Sequence, residues 1–180
     1  MICCNHASFL DAFVVIAGLP FEVAFQTYFM GLKEIFDLPA FRWSVQFAQV
    51  IPIDPTTELV RAMQVASLVL RNGKILCIFP EGQRSIDGEV KRFKSGAGIL
   101  AKELDIEVVP VYIEGSHKAW PRMGRFPKPH AIKLIFGQPV HYGRILGQEG
   151  QASGDEPYKK IAEKIREDII SLQTQVRKKD

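Results

Sequence analysis

Residues 54–82 read DPTTELVRAMQVASLVLRNGKILCIFPEG, one complete helix–turn–strand unit. Asp54 is suited to cap a helix N-terminus, Pro55 to fill its first position and Gly73 to stop it, which predicts a helix over 55–72. Leu59, Met63, Ala66 and Leu70 lay an apolar stripe along it at helical spacing. Ile75–Phe79 then forms an apolar run too short for a helix and closed by Pro80 and Gly82, the pattern of a buried strand.

The same alternation continues in both directions. Met1–Cys4, Val23–Gln26, Gln49–Ile53, Val108–Ile113 and Ala131–Phe136 read as further strands, and a second helix follows Ser95 and ends near Leu104. Short apolar runs separated by helical patterns predict an α/β fold, a single domain with a largely parallel central sheet flanked by helices. Residues 1–145 are expected to hold that domain. Residues 146–180 read as a linker, Gly147–Gly154, and an amphipathic helix over Tyr158–Val176 packed on the same domain through Ile161, Ile165, Ile169 and Leu172. The first strand is very short, so the chain reads as the continuation of a longer polypeptide.

Composition narrows the classes. At 180 residues, 20.3 kDa, 47% hydrophobic and 24% charged, the chain has the size and make-up of one globular domain. No stretch reaches the roughly 18 apolar residues of a membrane-crossing helix, and no basic leader precedes an apolar run, so a cytoplasmic protein with at most peripheral membrane contact is expected. Three cysteines give neither a disulfide framework nor metal-ligand spacing, and Cys77 lies in a core-like run. The formal charge is +3, but the first sixty residues are acidic on balance and the stretch from Arg61 onward is basic. That asymmetry favours an anionic ligand or surface. The bases are not interleaved with stacking aromatics, which argues against nucleic acid.

Three segments carry chemistry. Asn5-His6-Ala7-Ser8-Phe9-Leu10-Asp11 leaves a strand and enters a helix, where α/β sheets present reactive side chains. On a continuous helix, residues five apart would point about 140° away from each other, so His6 meets Asp11 only if it lies in the turn before the helix. An imidazole beside a carboxylate is the arrangement of a general base, while Asp11 also fits a capping box. Phe79-Pro80-Glu81-Gly82-Gln83-Arg84-Ser85 ends a strand sharply and offers an acceptor and a planar cation suited to phosphate. Lys91, Arg92 and Lys94 precede a helix N-terminus, where their charges and the dipole favour an anion. His117, His130 and His141 have no carboxylate at informative spacing, and Trp120-Pro121-Arg122 with Phe126-Pro127 forms a basic, aromatic loop that fits either contact with lipid head groups or simple packing on the surface.

Taken together, the NHxxxxD run, the FPEGxRS run, Phe93-Lys94-Ser95-Gly96 and Val108-Val109-Pro110-Val111 occur in the order found in lysophosphatidic-acid-type glycerolipid acyltransferases, which the chain resembles over residues 2–140. The resemblance implies transfer of a fatty acyl group from acyl-CoA or acyl carrier protein to a lysophospholipid hydroxyl. It implies His6 as base, Asp11 as its partner, Glu81, Gly82, Arg84 and Ser85 at the acceptor, and Pro110 on the acyl-donor side. Many members carry arginine after the aspartate of Val50-Ile51-Pro52-Ile53-Asp54, and here Pro55 stands in its place; Arg61, or Lys91 and Arg92, are the candidate substitutes. That departure resembles acyltransferase domains fused behind acyl-activating ligase modules. The implied chemistry needs no metal and no cofactor beyond the acyl thioester. The alternatives are a metal-assisted lipid hydrolase using His6, Asp11 and Glu81, and a lipid-binding remnant without turnover.

Overall fold

The computed structural model describes residues 1–32, 49–53, 59–146 and 154–178. Asp54 and Pro55, and with them the expected helix cap, lie outside the described residues, as does most of the stretch expected to be a linker.

Six strands form one sheet: β1 (Ile2–Cys4), β2 (Thr27–Leu32), β3 (Val50–Ile53), β4 (Ile75–Ile78), β5 (Val109–Glu114) and β6 (Lys133–Phe136). Their order is β3-β2-β4-β1-β5-β6, with every pairing parallel except β5 with β6. The helices are α1 (Asp11–Gly18), α2 (Phe21–Ala24), α3 (Leu59–Arg71), α4 (Gly96–Glu103), α5 (Ser116–Ala119), α6 (Tyr142–Leu146) and α7 (Glu156–Arg177). The chain is thus a single α/β domain with a mostly parallel sheet flanked by helices.

The sheet is buried on both faces, which is why its strands are continuous apolar runs and not alternating ones. Cys3, Leu76, Ile78 and Tyr112 face one layer with Ala66, Leu100, Ile161, Ile165 and Ile169. Ile2, Cys4, Cys77, Val111 and Ile113 face the other with Val15 of α1. On α7, Ile161, Ile165 and Ile169 are fully buried, each contributing about 1.5–3 kcal/mol by the usual area arithmetic.

One expected strand is corrected. Val23–Gln26 is not extended: Pro20 opens a single helical turn, with the Ala24 N–H on the Pro20 carbonyl at 2.9 Å and the Thr27 hydroxyl donating to the Val23 carbonyl at 2.8 Å. The strand starts at Thr27, where β-favouring Thr27, Tyr28 and Phe29 come into register with Ile75–Cys77 of β4.

Helix α7 rests on α4 at a backbone-to-backbone contact. A Cβ on Gly98 would stand 2.0 Å from the Tyr158 carbonyl oxygen, so nothing larger than hydrogen fits without parting the helices. Gly98→Ala is expected to destabilise the fold by about 1–3 kcal/mol, read as a lower urea midpoint at unchanged slope.

The order β4-β1-β5 matters most for function. Three adjacent parallel strands end on the same edge of the sheet, so the segments that follow them, 5–11, 79–85 and 115–122, are brought together although far apart in sequence.

Candidate active site

Asn5 fixes the end of β1. Its side chain is buried and acts as a peptide mimic: Nδ2 donates to the Ile113 carbonyl at 3.1 Å, and the Ile113 N–H donates to Oδ1 at 2.7 Å. The next residue, His6, is held from the other side by the 79–85 loop. The His6 N–H donates to Glu81 Oε1 at 2.9 Å, and the Ser85 N–H donates to the His6 carbonyl at 2.7 Å. Both backbone polar groups of His6 are therefore spoken for by a segment 75 residues away.

The imidazole is equally constrained. It stacks on Phe79 with ring centroids 4.2 Å apart, and Nδ1 lies 2.8 Å from Asp11 Oδ2. Because α1 begins at Asp11, His6 occupies the turn ahead of it, as the five-residue spacing requires. Asp11 is completely buried, and the same Oδ2 also accepts the N–H groups of Ala7 at 2.7 Å and Ser8 at 2.8 Å. The expected capping box is not formed, since α1 starts at Asp11 itself; the bonds from Ala7 and Ser8 instead close the turn ahead of the helix, so one carboxylate both closes the turn and orients the imidazole. In the neutral imidazole, a carboxylate acceptor at Nδ1 favours the tautomer with the proton on that nitrogen and the lone pair on Nε2. Such an imidazole can take a proton from a hydroxyl at Nε2.

Glu81 is 5% exposed, and its second oxygen accepts the Lys91 N–H at 3.2 Å. Burial pushes its carboxyl up to about 7 against the pull of those two N–H bonds. Its oxygens thus face backbone, not the opening of the site, and among the described residues no three His, Cys, Asp or Glu side chains form a metal-binding group. Ser85 is buried, its hydroxyl donating to Asp87 at 2.8 Å. Gly82 has φ of +74°, a conformation that favours glycine, and the Lys94 stem lies across it where a Cβ would stand. Arg84 lays its guanidinium 3.3 Å over the Phe9 ring.

The structure therefore unites His6, Asp11, Glu81, Gly82, Arg84 and Ser85, with Lys94 at the rim. The other cations do not meet at one point: Lys91 pairs with Asp87, and Arg92 and Arg61 are exposed, the latter on α3. Pro110 is buried in β5 under Gly137. Cys3 and Cys4 are buried, and loss of hydration pushes both thiols up, which disfavours a nucleophilic thiolate. His117 packs on Gly88, His130 lies beside Gly115, and His141 sits between Asp105 and Glu107.

Two contributors were not evident as site residues in the sequence. Trp120 accepts the Ser8 hydroxyl on its carbonyl at 2.8 Å and stacks at a tilt on Phe9 at 5.4 Å, while Arg122 donates to the Arg84 carbonyl at 3.0 Å. The Trp-Pro-Arg run was their sole signal.

The model of the family named Acyltransferase matches residues 1–114, well over half of the chain and all of the 5–11 and 79–85 segments. The chain belongs to the Acyltransferase family. Among curated members of this family, it is 30% identical to the chloroplastic 1-acyl-sn-glycerol-3-phosphate acyltransferase of Arabidopsis thaliana over 166 residues, 89% of this chain and 43% of that one. It is 28% identical to the 1-acyl-sn-glycerol-3-phosphate acyltransferase of Bacillus subtilis over 145 residues, 78% of this chain and 66% of that one. The crystal structure of the 1-acyl-sn-glycerophosphate acyltransferase of Thermotoga maritima superposes with a TM-score of 0.71 at 25% identity, covering 96% of this chain and 65% of that one. The chain spans less than half the length of the plant acyltransferases it matches.

Proposed function

We propose that this chain carries the catalytic core of a 1-acylglycerol-3-phosphate O-acyltransferase. The observation that carries the reading is the double clamp on His6, backbone by the 79–85 loop and imidazole by Asp11, in a chain whose relatives bear that name. In this reading His6 Nε2 accepts the proton of the free hydroxyl of a lysophosphatidate-like acceptor as the oxygen attacks the carbonyl of an acyl thioester, acyl-CoA or acyl carrier protein. The carbon–oxygen ester bond forms, the carbon–sulfur bond breaks, and the proton passes from His6 to the departing thiolate. Asp11 stabilises the transient imidazolium. The N–H groups of Ala7 and Ser8 are occupied by Asp11, so the oxyanion finds its donors elsewhere.

Thiol release from palmitoyl-CoA by the purified chain, with and without lysophosphatidate, tests the reading. Release that requires the acceptor supports it; a folded chain that releases none with any lysophospholipid or either donor type would sink it.

We also propose peripheral contact with an anionic membrane, at the inner face of a cell membrane. Residues 115–133 contain Lys118, Arg122, Arg125, Lys128 and Lys133 and no carboxylate. Met123 and Phe126 stand 85% and 70% exposed in that loop, beside the segment that touches Ser8 and Phe9. No helix among the described residues is long and apolar enough to cross a membrane. Replacing Met123 and Phe126 together with aspartate is expected to weaken binding to phosphatidylglycerol-containing vesicles by about tenfold or more, since burying either side chain is worth on the order of 1.5–3 kcal/mol. Co-sedimentation that is unchanged by the double substitution would remove the loop from the contact.

A further inference from the structure

The loop after α5 brings a second guanidinium to the site. Ser8 and Pro121 form an isolated antiparallel bridge, and the Ser8 hydroxyl donates to the Trp120 carbonyl, so the chain on either side of Pro121 is tied to the turn that carries His6. The adjoining Arg122 donates from Nη1 to the Arg84 carbonyl at 3.0 Å and to Gln83 Oε1 at 3.4 Å. Arg84 in turn lies over the Phe9 ring, and its own Nη1 is buried with no acceptor.

This pair is not compensated. Among the described residues, neither guanidinium is in an ion pair with a carboxylate. Desolvation by burial and the positive charge of Arg122 disfavour the proton on Arg84, with Asp11 opposing them. Two like charges held together in a partly dehydrated place oppose folding unless a ligand of opposite charge joins them. A buried N–H with no acceptor is the mark of a missing partner. A phosphate monoester suits both: two charges and several acceptor oxygens answer two planar forks of donors. Lys91, by contrast, is committed to Asp87.

We propose that Arg122 binds the phosphomonoester of the acceptor together with Arg84, and so sets the preference for a phosphorylated acceptor over a neutral one. The proposal rests on the acyltransferase reading above. It assigns the role to a residue outside both motifs, on a loop delivered by β5.

The test uses the whole chain and an acceptor kept below its micelle concentration, so that membrane docking plays no part. With short-chain lysophosphatidate, Arg122→Gln is expected to raise KM by about tenfold or more at nearly unchanged kcat, the size of a lost charge-assisted hydrogen bond. Acylation of a monoacylglycerol of the same chain length should not change, and Arg122→Lys should recover part of the loss. An unchanged KM, an equal fall with both acceptors, or a defect seen only with vesicle-borne substrate would overturn the proposal. A second measurement on the wild type covers the case of a poorly folding variant. Glycerol 3-phosphate should slow phenylglyoxal modification of Arg84 and Arg122 relative to Arg125 and Arg144, as read by peptide mapping. Equal modification with and without it overturns the assignment. If the wild type transfers no acyl group to any acceptor, the acyltransferase reading falls, and the modification experiment still decides whether Arg122 meets a phosphate.

Discussion

His6→Ala is expected to lower acceptor-dependent thiol release from palmitoyl-CoA by about 10²–10⁴-fold, the ordinary worth of a positioned general base. The site is built so that this loss is chemical and not structural. The bonds that hold residue 6 in place run through its N–H to Glu81 and its carbonyl to Ser85, and alanine keeps both. Asp11 also keeps its bonds from Ala7 and Ser8, so the turn and the start of α1 survive. What disappears is the stack on Phe79 and the Nδ1 bond, a small share of the stability of the fold. Activity should therefore collapse while the urea midpoint moves little. Asp11→Asn should fall in the same direction, because an amide cannot stabilise the imidazolium as a carboxylate does. Activity in His6→Ala within tenfold of the wild type would remove His6 from the reaction.

The architecture was legible to the extent that periodicity carried it. Two-sided burial makes β1, β4 and β5 continuous apolar runs, which are easy to find, and the stripe on α7 shows as three fully buried isoleucines one turn apart. Val23–Gln26 misled because three apolar residues and a glutamine fit either a strand or a helical turn, and the decision came from Pro20 before them and the register of Thr27 with Ile75. At the site, the meeting of His6 and Asp11 was readable from a five-residue spacing across a strand-to-helix turn. Glu81 was found by its motif, but its direction was not. A carboxylate after a strand looks equally suited to ligand or backbone until the fold places the His6 and Lys91 amides in front of it. Arg122 stood lower still in view, because its relation to Arg84 depends on β5 lying beside β1, a pairing that no local pattern encodes.

Glu81 provides the second large effect, and its sign runs opposite to that of most carboxylates. Its carboxyl, raised from 4.5 to about 7 mainly by burial, prefers the neutral form in the folded chain. A group whose folded value is raised stabilises fully below its unfolded value and loses that contribution as pH climbs through the folded one. Between about pH 4.5 and 7 the wild type should therefore lose on the order of 3 kcal/mol from this group. Asp87 and Glu89 do not mask the slope. Hydrogen bonds from Lys91 and Arg177, respectively, hold them below the usual range, so their contribution changes at more acid pH and with the opposite sign. Glu81→Gln should flatten the stability profile over this window, measured by urea unfolding at a series of pH values. The amide can accept one N–H with its oxygen, but it turns an NH2 toward the other, so either His6 or Lys91 loses its acceptor. Activity should then fall by about 10–100-fold through misplacement of the His6 backbone, since a shift of about 1 Å costs on the order of 10²-fold. A wild-type profile that is level from pH 4.5 to 7 would mean that burial does not raise the Glu81 carboxyl, and a glutamine variant with full activity would mean that the carboxylate does not hold His6 in its working position.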